Sequence, residues 1–106
     1  NMSRLMKPGM DTVRERLAEL LEATEITAGM YVRVHGDNLI VGRNEPGPDD
    51  AMFAEDRVRL TRLGPRTFGL SVKRHTGRWQ RTPFTGDLGE VVSAIHQFMQ
   101  HLVAPY

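Results

Sequence analysis

Hydrophobic residues in the middle of this chain recur with a period of two. Tyr31-Val32-Arg33-Val34-His35, Arg57-Val58-Arg59-Leu60-Thr61-Arg62 and Ser71-Val72-Lys73 all alternate apolar with basic or polar side chains. That period places alternate side chains on opposite faces of a strand, so one face of the resulting sheet is apolar and the other basic. Two flanking segments follow a helical period instead. Val13, Leu17, Leu20, Leu21 and Thr24 share one face of a helix over 10–25, with Asp11 as its cap. Leu88, Val91, Val92, Ile95, Phe98, Met99 and Leu102 form one stripe over 87–103. Asp87 and Glu90 open this second helix as a capping box, and Pro105 stops it.

Turn residues divide the middle into strands. Gly36-Asp37 or Asp37-Asn38 closes a hairpin in which Val32 and Val34 share a face with Leu39 and Val41, leaving Ile40 on the polar face beside Arg33. The run Asn44-Glu45-Pro46-Gly47-Pro48-Asp49-Asp50 reads as a loop. A two-residue turn at Gly64-Pro65 would mix the faces of the second hairpin. An odd-length loop or bulge at 64–66 instead pairs Leu60 with Leu70 and Val58 with Val72. A last strand over 78–82 places Trp79 on the core face, where Phe68 and Phe84 also belong. The expected fold is α+β, a single domain over 1–106. It has an arm over 1–9, a helix over 10–25, a five-stranded antiparallel meander over 30–83 and a helix over 87–103, both helices on the apolar face (α-β-β-β-β-β-α).

At 106 residues the chain has room for one core. It has no cysteine, which excludes disulfides, thiolate metal ligands and a cysteine nucleophile, and fits a bacterial cytoplasmic protein. Neither a signal peptide nor an apolar run of membrane-spanning length is expected. Asn1 before Met2 reads as a tag remnant, with Met2 the native start. The net charge of +1 hides an uneven distribution. Residues 31–81 hold ten Arg/Lys against six Asp/Glu, a surplus of four, while both flanks are mildly acidic.

This surplus singles out the polar sheet face, with Arg33, Arg57, Arg59, Lys73 and Arg78 as phosphate-neutralising residues and Tyr31 and His35 as the aromatic-type neighbours. Thr61, Ser71 and Gln80 complete the face. In this register Arg57 stands opposite Lys73, a like-charge pair that an anionic partner would relieve. A competing expectation is that the acidic residues Glu45, Asp49, Asp50, Glu55 and Asp56 fold over the face and neutralise it.

Enzyme signals are weak. His96 and His101 are five residues apart and diverge on a helix, and no metal-binding spacing, nucleophile elbow or phosphate loop occurs. The expectation is a non-enzymatic binding module without metal or cofactor, whose partner is single-stranded nucleic acid or an acidic protein. The alternative is a protein-interaction, chaperone-like or homodimerisation module that uses its amphipathic helices, with Met10, Met30, Met52 and Met99 as adaptable apolar contacts.

Overall fold

A computed structural model describes residues 8–106 of the chain. One antiparallel sheet carries the fold, with strands β1 (Tyr31–His35), β2 (Asn38–Pro46), β3 (Met52–Gly64), β4 (Thr67–Lys73) and β5 (Trp79–Gly86) in sequential order. Helix α1 (Met10–Glu22) precedes it; α2 (Leu88–Phe98) and a single turn of helix, α3 (Gln100–Val103), follow it. This is the expected α+β meander with flanking helices. Most of the expected arm over 1–9 lies outside the described residues.

The core forms on one face. Leu39, Val41, Val58, Leu60 and Leu70 are fully buried beneath Leu17 and Leu21 of α1 and Val91 and Ile95 of α2. Each such side chain contributes about 1.5–3 kcal/mol on leaving water. Both helices therefore cover the apolar face, and among the described residues no helix packs on the other.

The hairpin registers follow from the alternation. Val34 pairs with Leu39 and Val32 with Val41 around a two-residue turn. Gly36 takes its first central position at φ +61°, the positive value a type II′ turn requires there. Leu60 pairs with Leu70 and Val58 with Val72. The odd residue that this pairing needs is Leu63, an unpaired bulge one position before the expected segment, followed by the two-residue turn Pro65-Arg66.

Several details depart from expectation. Gly9, not Asp11, is the N-cap of α1, and Asp11 lies in the first turn, where its charge complements the helix dipole. The helix stops at Glu22, and turns fill the chain from there to β1. The Asp87–Glu90 capping box forms as expected. The C-terminal helix breaks at Met99 (φ −128°), which turns Phe98 out to 59% exposure, where it stacks on Phe84 at 5.3 Å. Strand β5 runs on to Gly86 because residues 82–84 bulge opposite Leu70, which accommodates Pro83 without a broken ladder bond.

Candidate binding face

The uncovered face can be read row by row from the ladder. One row crosses all five strands as Arg33, Ile40, Arg59, Ser71 and Arg81. Neighbouring strands lie about 4.8 Å apart, so its three arginines, on β1, β3 and β5, are spaced roughly 10 Å apart. Ile40, the apolar residue of this polar face, is only 5% exposed between its ladder neighbours Arg33 and Arg59.

A second row holds Tyr31, Gly42 and Asp56 at one side and Lys73 with Trp79 at the other. Tyr31 lies over Gly42, where any Cβ would overlap its hydroxyl and the Glu55 carbonyl oxygen. The Tyr31 hydroxyl donates to Asp56 Oδ1 at 2.5 Å, and Arg33 Nη2 donates to Asp56 Oδ2 at 2.7 Å. Burial alone would raise the Asp56 pKa, but these two donors outweigh it and hold the carboxyl below its usual range. Burial and the Asp56 hydrogen bond push the Tyr31 phenol well above its usual value, and the Asp56 bond also raises the Arg33 guanidinium. Arg33 is therefore neutralised in place.

Three other cations have no such partner. Among the described residues, no carboxylate lies within ion-pair distance of Arg59, Lys73 or Arg81, and Lys73 acts on Asp56 only as a longer-range charge that helps hold its carboxyl down. Arg59 and Lys73 stand against Trp79, the chain's one tryptophan, and Arg81 follows it by two positions on the same face of β5. The Arg59 guanidinium stands 5.0 Å from the indole centroid and the Lys73 ammonium 5.9 Å. Arg81 lies over Gly69, with Nη2 2.7 Å from where a Cβ would sit. Trp79 thus belongs to the basic face and not to the core, because it pairs with Lys73 in β5. Phe68 is buried and Phe84 packs against the core, as expected.

The same register corrects other assignments. Arg57 is not on this face. Val41 pairs with Val58 but Gly42 pairs with Asp56, so Arg57 is the extra residue of a β-bulge. The bulge turns its side chain to the helix side, where it is 6% exposed. There Nη1 donates to the carbonyls of Leu102 (3.1 Å) and Ala104 (3.0 Å). Nε stands 2.7 Å from Glu55, Nη2 3.4 Å from Glu45, and Tyr106 stacks on the guanidinium at 4.2 Å. The expected clash between Arg57 and Lys73 therefore does not arise.

Arg43 and Arg62 do similar work. Arg43 donates to the carbonyls of Val103 (2.6 Å), Ala28 (2.9 Å) and Ile26 (2.7 Å), and burial followed by the nearby Arg57 charge lowers its pKa. Arg62 donates to the carbonyls of Pro8 (2.7 Å) and Pro65 (2.6 Å). These buried arginines hold down chain ends and loops by their orphan carbonyls.

Arg78 lies exposed in the turn before β5, with its carbonyl accepting from the Arg74 amide, and Gln80 faces the side of Val72. His35 is exposed on the open face at the β1 edge, opposite Asn38. Glu45 and Glu55 pair with Arg57, and Asp49 and Asp50 sit in a short 3-10 turn. Of the acidic residues expected to fold over the face, only Asp56 lies on it. Arg81 was not anticipated from the sequence, because placing Trp79 in the core turned Arg81 inward with it.

Among the described residues, no group of three or more His, Asp and Glu side chains is close enough to hold a metal ion, and no helix is long and apolar enough to cross a membrane. No protein-family model, curated protein or solved structure matches the chain.

Proposed function

We propose that this protein is a non-enzymatic binding module that takes single-stranded nucleic acid on the uncovered face of its sheet. The carrying observation is Arg59 and Lys73 against Trp79, with Arg81 two positions along β5, on a face that no described helix covers and with no carboxylate at ion-pair distance among the described residues. Guanidinium groups suit phosphate through their planar donor fork, and every base has a π-face that an indole can meet. A single strand fits better than a duplex, because its bases are free to reach a flat sheet. Tyr31 and Arg33 frame the β1 side of the face, where Asp56 holds both rigid.

The test is retention of the protein on immobilised single-stranded DNA at about 50 mM salt, with duplex DNA and an acidic polypeptide as parallel columns. Retention on the single strand that is lost in the Arg59→Ala/Arg81→Ala variant supports the reading. Equal retention on the acidic polypeptide would move it to an acidic protein partner, and no retention at all would overturn it.

A second reading rests on Phe98, which α2 presents at 59% exposure in a stack with Phe84. An apolar contact of this kind suits a homodimer formed through the C-terminal helix. Sedimentation equilibrium decides it: a dimer that Phe98→Glu converts to a monomer supports the reading, and a monomeric parent chain removes it.

A further inference from the structure

Between Arg59 and Arg81 in the arginine row lies Ser71, a residue with no exposure whose hydroxyl has no hydrogen-bond partner among the described residues. Its ladder neighbour Arg59 has a buried Nε in the same condition. Three other buried or half-buried hydroxyls are paired: Thr27 donates to the Leu21 carbonyl, Thr61 to Asn38 and Thr82 to the Leu70 carbonyl. Arg57 Nε and Nη2 share the lack of a well-aligned hydrogen bond but face Glu55 at 2.7 Å and Glu45 at 3.4 Å, whereas Ser71 and Arg59 lie side by side with no carboxylate in ion-pair reach among the described residues. A buried donor without a partner is destabilising, because it has lost its water and gained nothing in return. A sheet position facing outward could carry a valine or alanine at no such cost.

What closes over the pair is movable. The Arg59–Trp79 stack runs from β3 to β5 and crosses β4 at Ser71 and Lys73. Arg81, the other ladder neighbour of Ser71, is exposed, and its guanidinium rests on Gly69 without an ion-pair partner among the described residues. A cation–π contact near the surface is weak, and an incoming phosphate, which pairs with the guanidinium more strongly, can displace it.

We propose that Ser71 Oγ and Arg59 Nε are the anchor for one phosphate of the bound strand, with Arg81 closing over it as the third donor and the Trp79 ring displaced to meet the adjacent base. Both anchor groups donate to the phosphate oxygens, a charge-assisted pairing in a site shielded from water. This inference rests on the proposed nucleic-acid reading and adds to it a defined phosphate position and a moving reporter.

The experiment uses the full chain and its single tryptophan. Trp79 fluorescence is titrated with an oligothymidylate of about eight nucleotides, with inorganic phosphate and with thymidine, in the parent chain and in Ser71→Ala. The expected result is a Trp79 signal with the oligonucleotide, competition by inorganic phosphate at high concentration, and none by thymidine. Ser71→Ala weakens oligonucleotide binding about tenfold, the loss of one hydrogen bond to a charged group, and raises Tm because an unpaired buried hydroxyl has gone. Unchanged affinity, or a lowered Tm, would overturn the anchor and leave the binding face standing. Failure of the parent chain to bind any oligonucleotide would overturn both. Competition by thymidine in place of phosphate would assign the site to the base and reject the phosphate anchor.

Discussion

Two arginines separated by one residue, Arg57 and Arg59, have opposite roles. Arg59 lies on the open face against Trp79, whereas Arg57 is buried under Tyr106 and grips the carbonyls of Leu102 and Ala104. Arg57→Ala should therefore cost stability, about 3–5 kcal/mol, because Glu45 and Glu55 would lose their buried counter-charge. Chemical denaturation checks this, and at the bottom of that range it already removes much of a typical domain's 5–15 kcal/mol. Arg59→Ala should change stability by less than about 1 kcal/mol. Asp56 supplies a pH signature. Its folded pKa lies below the unfolded value, so its stabilisation is present above about pH 4 and is lost as pH falls through the folded pKa. In acid titrations followed by circular dichroism, Asp56→Asn should show a shallower loss of stability below pH 4 and a lower stability at pH 7. Period two alone puts residues 57 and 59 on one face, and no local residue pattern announces a bulge. That is why Arg59, Lys73, Tyr31, Arg33 and His35 were legible as face residues while Arg57 was not.

At the level of elements, the devices that show in sequence are those made by neighbours in the chain. The Asp87–Glu90 capping box is one, and Asp87→Ala should cost about 1 kcal/mol, read as a lowered Tm. The hairpin registers are another, since alternation allows one pairing that keeps Leu39, Leu60 and Leu70 on the same side. What stayed hidden depends on contacts far apart in sequence. Trp79 reads as core by its hydrophobicity, but its register opposite Lys73 is set by the turn at 74–78. Gly42 reads as an ordinary weak spot in a strand. In the fold it is the slot that admits the Tyr31 ring, so Gly42→Ala should displace Tyr31 from Asp56 and destabilise the protein by about 1–3 kcal/mol, measurable by thermal melting.

On the scale of the whole molecule, helices cover one face of the sheet and an uneven charge pattern occupies the other. The basic surplus of residues 31–81 divides between the two. Arg43, Arg57 and Arg62 are consumed as buried clamps, and Arg33 is neutralised by Asp56. Arg59, Lys73 and Arg81 remain to meet an anion, so the binding face is smaller and sharper than the sequence surplus suggests. With Arg59 and Arg81 on one phosphate and Lys73 on a second, two phosphates are neutralised, which gives a salt slope of about −1.4 on a single strand, from roughly 0.7 per phosphate. The most direct test is the affinity for an oligothymidylate measured between about 50 and 200 mM salt, in the parent chain and in Arg59→Ala/Arg81→Ala. The account predicts a log–log slope of about −1.4 in the parent chain, and in the folded variant binding that is at least about tenfold weaker with a slope of about −0.7. Absence of binding at 50 mM salt, or a variant that binds with unchanged affinity and slope, would contradict it.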